Sequence, residues 1–160
     1  MIRTATPADA PAICRIYAPF IRDTTITFEE EPVPVAEMER RITTTTANYP
    51  WLVLDTDAGV IGYAYATRWR ERHAYRYTVE TAIYLAPEAQ GKGLGAPLYT
   101  ALLAALRERG SRVAMGVIAL PNASSVALHE RLGFHKAGHF ERVGYKFDRW
   151  IDVGLWQLML

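Results

Sequence analysis

Two stretches of this sequence hold residues whose types and spacing could do chemistry. The first is Gln90-Gly91-Lys92-Gly93-Leu94-Gly95, between a β-rich run and a helix-forming one. Its glycines let the backbone approach a ligand and take positive φ. The unpaired amides at a helix start, with the helix dipole, favour a bound phosphate. Gly91, Lys92, Gly93, Leu94, Gly95 and Ala96 would then cradle a pyrophosphate, although a plain strand–helix connection can share the pattern. A P-loop does not fit, because Lys92 comes too early for Gly-Lys-Ser/Thr after four spacer residues. A dinucleotide fingerprint does not fit either, because Gly91, Gly93 and Gly95 have the wrong spacing and lie in mid-chain.

The second stretch runs from Asn122 through His129 and Arg131 to Gly133-Phe134. The Asn122 amide can both donate to and accept from a ligand, and asparagine is also a favoured helix cap. Arg131 sits one helical turn before Phe134, where it could meet a ligand or remain an exposed charge. Upstream, Glu80 is a lone carboxylate among Val79, Ala82 and Ile83. Burial there would raise its pKa and suit a base, unless an arginine pairs with it. Arg70, Arg72 and Arg76 cluster just before it with Trp69, Tyr75 and Tyr77. Arginine forks bind oxyanions well, and such a cluster can also be a solvated hairpin face.

The elements that position these groups read as follows. Residues 2–5 suggest a short strand. Thr6 caps a helix with Pro7 first and Asp9 in its first turn, and Ile13, Ile16, Tyr17 and Phe20 follow at helical spacing. Pro32 and Pro34 break residues 28–34 into a loop before a helix at 35–45. A hairpin spans 51–54 and 60–67 about Asp57-Ala58-Gly59. Residues 78–85 form a strand, 96–109 a helix ended by Gly110, 113–118 a strand and 124–132 a helix ended by Gly133. Residues 134 onward are β-like, with a last strand at 150–160. Tyr99, Leu102, Leu103 and Leu106 read as core. The order implies an α/β fold, a central mixed, mostly antiparallel twisted sheet flanked by helices on both faces.

Bulk properties agree with one domain over residues 1–160. Half the residues are apolar and 22% are charged, as in a globular chain. A net charge of +1 offers no general attraction to nucleic acid or an anionic membrane. Cys14, the only cysteine, excludes an internal disulfide and reads as a small apolar residue of the first helix. No apolar run reaches a membrane span, and no signal peptide precedes the first strand, so the cytoplasm is the expected location.

Taken together, the two stretches resemble the GNAT superfamily of acetyl-coenzyme A-dependent N-acetyltransferases. Gln90, Gly93 and Gly95 satisfy its coenzyme A loop. Asn122, Ser125, Leu128, Gly133 and Phe134 match its second motif in register. The resemblance implies acetyl-CoA as cosubstrate and no metal. It also implies that backbone amides around Ile83, Tyr84 and Leu85 bind the acetyl carbonyl and pantetheine, that Asn122 and Arg131 contact coenzyme A, and that Glu80 is the general base. His129 stands where many relatives carry a tyrosine assigned as acid, so it could relay a proton or contact substrate, or be a helix-surface histidine.

Three further stretches resemble the phosphinothricin and methionine sulfoximine acetyltransferase branch: Tyr49-Pro50-Trp51-Leu52-Val53, residues 74–81, and the tail from Trp150 to Gln157. This implies a small amino-acid acceptor, with Arg72 and Tyr75 as contacts and Phe28 as a wall. It also implies a homodimer, which agrees with a tail whose Trp150, Leu155 and Trp156 one small domain need not bury. Rival readings are another acceptor, such as a protein N-terminus or a polyamine, and a binding module without catalysis. The arginine cluster argues against a polyamine, and Glu80 argues against the module.

Overall fold

The computed structural model describes all 160 residues. Strands β1 (Ile2–Thr4), β2 (Trp51–Thr56), β3 (Gly59–Arg68), β4 (Thr78–Leu85), β5 (Val113–Ala119), β6 (His135–Lys146) and β7 (Arg149–Met159) form one sheet. Its order is β1-β2-β3-β4-β5-β7-β6, and only β4 and β5 run parallel. The mixed, mostly antiparallel sheet expected above is therefore observed.

The faces of the sheet follow from strand alternation. Trp51, Val53 and Tyr63 bury on one face under α1 (Ala10–Asp23) and α2 (Val35–Thr46). Ala64, Ala66 and Val79 bury on the other under α3 (Gly95–Glu108), with Leu128 and Leu132 about α4 (Ala123–Arg131) packed against that side. The predicted core of α3 holds, since Leu98, Tyr99, Leu102, Leu103 and Leu106 are all buried.

Helix α1 starts later than its sequence suggests, at Ala10 with Asp9 as its N-cap. A short 3-10 turn at Pro7–Asp9 leads in, and the Asp9 carboxylate accepts from the Thr6 amide at 2.8 Å. Arg3 reaches across from β1 and donates to both Asp9 oxygens, which lowers the Asp9 pKa. Cys14 lies on α1, half-buried.

Two features depart from the sequence reading. Trp156 is not part of an exposed tail; it is 3% exposed, its Nε1 donates to Glu130 and Lys136 lies over its ring. Trp150 does remain exposed, paired across the hairpin with Tyr145. The β6–β7 turn, Phe147 and Asp148, takes positive φ at both residues without a glycine, so no turn signal marked it.

Candidate active site

The parallel pairing of β4 and β5 covers only Thr78–Thr81 against Val113–Gly116. Beyond it β4 runs on to Leu85 and β5 to Ala119 without pairing to each other, so the sheet opens between them. The Ala86 amide bonds Ile61 on the β3 side. Alternate amides of a strand point the same way, so those of Ile83 and Leu85 face the opening.

Two adjoining cavities fill this opening and share Ile26, Ile83, Tyr84, Asn122 and Ser125. The larger, about 410 Å³, is lined by Leu85, Gly91, Gly93, Leu94, Gly95, Ala96, Leu128 and Arg131 among others. Gly91 and Gly93 have φ of 70° and 74°, conformations that glycine adopts without strain. Gly95 opens α3 close against Leu128. No side chain caps α3 and no acidic residue sits in its first turn, so its amides and positive dipole end are open to an anion. Lys92 is exposed on the same loop and does not line the cavity.

Asn122 takes the helix-cap role that its sequence allows. Its Oδ1 caps α4 by accepting from the Ser125 amide at 3.3 Å and the Ser124 hydroxyl at 3.2 Å. The residue lines both cavities. Arg131 is exposed at the rim and makes no ion pair within the chain.

The second cavity, about 280 Å³, holds Glu80, His129 and Phe28 on its wall. Glu80 is half-buried, and its carboxylate neither makes an ion pair nor accepts a hydrogen bond, so no arginine pairs with it. Burial raises its pKa above the ordinary carboxylate value. Tyr65, on the same sheet face, is pushed up to about 12 by its own burial and then by the Glu80 charge.

His129 is not a helix-surface histidine; it is 4% exposed. Its Nδ1 lies 2.7 Å from the Ser125 carbonyl oxygen, which can only accept, so that nitrogen carries the proton. Nε2 of the neutral ring then accepts from the Tyr99 hydroxyl at 3.0 Å, and Tyr99 accepts from Thr81 at 2.6 Å. Burial lowers the His129 pKa, which the Ser125 carbonyl only partly offsets, so the ring is neutral at pH 7. Gly116 makes room for it, because a Cβ there would stand 2.6 Å from the imidazole.

Arg72 and Tyr75 are not brought into this cavity. They are exposed in the segment 69–77 that joins β3 to β4, and they line neither cavity. Tyr17, Thr27, Tyr65, Thr81 and Val153 do line it, and the sequence reading left them out of the site. Tyr17 bonds Thr27 at 2.6 Å and Glu29 at 2.5 Å, and Arg41 grips the Glu29 carboxylate with two donors. Thr27 and Thr81 adjoin Phe28 and Glu80 in sequence, whereas no local pattern sets Tyr17 or Tyr65 apart from core.

A glycine loop at an uncapped helix, a splayed parallel pair and an unpaired half-buried carboxylate are the parts an acyl-transfer site would need. The family described as "Acetyltransferase (GNAT) domain" matches residues 2–155, and the chain belongs to it. Among relatives, the phosphinothricin N-acetyltransferase of Streptomyces viridochromogenes is 42% identical, over 98% of this chain and 85% of its own length. The L-methionine sulfoximine/L-methionine sulfone acetyltransferase of Pseudomonas aeruginosa is 40% identical, over 99% of this chain and 94% of its own. The crystal structure of a phosphinothricin acetyltransferase from Sinorhizobium meliloti in complex with acetyl-CoA superposes with a TM-score of 0.96 at 42% identity, covering 100% of this chain and 88% of that one. The protein is an acetyl-CoA-dependent N-acetyltransferase. No helix is long and apolar enough to cross a membrane.

Proposed function

We propose that this enzyme acetylates the α-amine of a small amino acid of the phosphinothricin, methionine sulfoximine or methionine sulfone type, by direct attack in a ternary complex. The observation that carries the reading is Glu80, an unpaired half-buried carboxylate in a cavity that adjoins the glycine-loop cleft. The names of the relatives supply the acceptor class.

Acetyl-CoA supplies an acetyl group activated as a thioester. Amides of Gly91 to Ala96 at the open start of α3 would hold its pyrophosphate, with Lys92 and Arg131 at the rim and Asn122 beside the pantetheine. Glu80 takes one proton from the acceptor ammonium, directly or through a water. The freed amine attacks the thioester carbonyl, whose oxygen gains charge and accepts from the Ile83 or Leu85 amide. The carbon–sulfur bond breaks, and the second proton of the attacking nitrogen ends on sulfur. His129, neutral and engaged at both nitrogens, has no spare proton to give at pH 7. Its part is to hold Thr81 on the cavity wall through the buried Tyr99 hydroxyl.

A homodimer belongs to the same proposal. Phe140, Val143, Tyr145, Phe147 and Trp150 leave an apolar strip exposed on the β6–β7 hairpin, as an association surface would. Arg72 and Tyr75 stand outside the chain's own cavity, and we assign them to acceptor binding where such an interface closes over the site. The cytoplasm is the proposed location.

The test is coenzyme A release with amino acids, a polyamine and an N-terminal peptide as acceptors. Turnover confined to the peptide or the polyamine would overturn the acceptor class, and no turnover with any of them would overturn catalysis. Arg72→Ala should raise the acceptor KM roughly 10- to 150-fold, the worth of a lost charge-assisted bond, and leave the acetyl-CoA KM unchanged. Sedimentation showing only monomer would remove the dimer and, with it, this role for Arg72.

A further inference from the structure

Behind Phe28 stands β6. Lys146, the last residue of that strand, is 1% exposed, and its Nζ donates to the Thr27 carbonyl oxygen at 2.8 Å. It has no ion pair, and its Nζ lies 5.0 Å from the centre of the Phe147 ring. Burial lowers its pKa, while the charges of Glu30 and Glu29 act the other way. Burying an ammonium is costly unless it is hydrogen-bonded. A lysine here does what an apolar residue could not: it pins the backbone of Thr27, which lines the cavity beside Phe28.

Gly144 lies two residues earlier and, by strand alternation, on the same side. A Cβ at Gly144 would stand 2.4 Å from the Phe28 ring. Gly144 does not take positive φ, so the backbone would accept alanine and only the ring forbids it.

Both residues reach the 24–34 loop because β6 is bulged. Phe140 pairs with Val153 and Gly144 with Ile151, so three residues stand opposite Asp152 alone. Arg142 takes φ of 51° within the bulge. The Asp152 carboxylate holds it, accepting from the Arg142 amide at 2.8 Å and pairing with His139 at 2.8 Å. Bulges re-aim side chains next to active sites, and this one turns Gly144 and Lys146 toward the cavity wall.

We propose that Gly144 and Lys146 are positioning residues that set the size of the acceptor cavity, by seating Phe28 against β6 and fixing Thr27. The inference rests on reading that cavity as the acceptor site. Steady-state constants would be measured for methionine sulfone and for ethionine sulfone, one methylene longer. The proteins are wild type, Phe28→Ala, Gly144→Ala, Gly144→Ala with Phe28→Leu, and Lys146→Met.

Gly144→Ala drives the ring off its seat and into the cavity. The acceptor KM should rise, and by about ten-fold more for the longer sulfone, the worth of one methylene in a pocket. The acetyl-CoA KM and the kcat at saturating methionine sulfone should stay unchanged. Phe28→Leu on that background should restore the ratio, which a general loss of folding would not allow. Lys146→Met should raise both acceptor constants without moving the acetyl-CoA KM. If Phe28→Ala alters the sulfone ratio and Gly144→Ala does not, the role of β6 is refuted and the acceptor site stands. If Phe28→Ala alters neither acceptor constant, the acceptor site itself is wrong. Should Lys146→Met not fold, the two Gly144 variants decide.

Discussion

Replacing Glu80 by glutamine keeps the shape of the side chain and removes its ability to take a proton. The cost can be worked from the strand. Strand residues rise about 3.3 Å each, so the Glu80 and Ile83 Cα atoms lie roughly 10 Å apart along β4. A glutamate side chain spans about half of that, so one water fits between the carboxylate and an amine attacking beside the Ile83 amide. Relay through a water points to the lower end of the general-base range, so kcat at pH 7 should fall about 100-fold, or roughly 3 kcal/mol of barrier.

The linkage sign gives a second readout. Burial raises the folded-state pKa of Glu80, so the folded protein holds this proton more tightly than the unfolded chain does. Stability from this group is then present below the unfolded pKa and lost as pH rises through the folded one. Above the folded pKa the ionised carboxylate destabilises the fold, so there Glu80→Gln should raise the melting temperature while it lowers kcat. The assay is thiol release with methionine sulfone from pH 6 to 10, alongside thermal melts. The kcat deficit should shrink at high pH, where the amine is already neutral. Near-full turnover of Glu80→Gln at pH 7, or a deficit constant across pH, would refute the base.

Other outcomes follow from the same geometry. Gly93→Val should weaken acetyl-CoA binding in calorimetry. Because φ is 74° at Gly93, it should also cost about 1–2 kcal/mol of stability through backbone strain; normal coenzyme binding would remove the phosphate-loop assignment. His129→Phe keeps the ring volume and breaks the bond to Tyr99. It should cost about 1–3 kcal/mol in denaturant melts and reduce kcat less than Glu80→Gln does; a larger kcat loss than that of Glu80→Gln would reinstate the imidazole as a proton carrier. Arg3→Met should destabilise by about 1–3 kcal/mol at neutral pH. Asp9 has a lowered folded-state pKa, so this deficit should fade as pH falls through that value and Asp9 protonates; a deficit independent of pH would mean that packing, not charge, matters at Arg3.

Much of the fold was legible because its signals are local. Thr6-Pro7 and Asp9 mark a helix start within four residues, and the α1 helix begins beside them. Gly110 and Gly133 take positive φ just past the helices they end. The alternation of residues 78–85 matches β4 to the residue. Less was legible in the site. Glu80 could be singled out because a carboxylate in an apolar strand is anomalous on its face. Arg72 was singled out for its chemistry and for the resemblance of its stretch, and neither says which way an exposed loop points.

By itself the sequence determined the glycine loop ahead of α3, the capped start of α4 and the alternation that puts Glu80 on the face of Ala82. Each depends on residues within about one turn or one strand of one another, where backbone geometry leaves few options. Only the tertiary structure decided what those groups face. The opening between β4 and β5, the burial of His129 under Tyr99 and Gly116, and the burial of Trp156 depend on contacts between distant segments. The wall of the cavity beside Glu80 is the extreme case, since Lys146 holds Thr27 across 119 residues of chain. Such contacts form because apolar faces must find one another and buried polar groups must find partners, and a one-dimensional pattern does not record which partner is found.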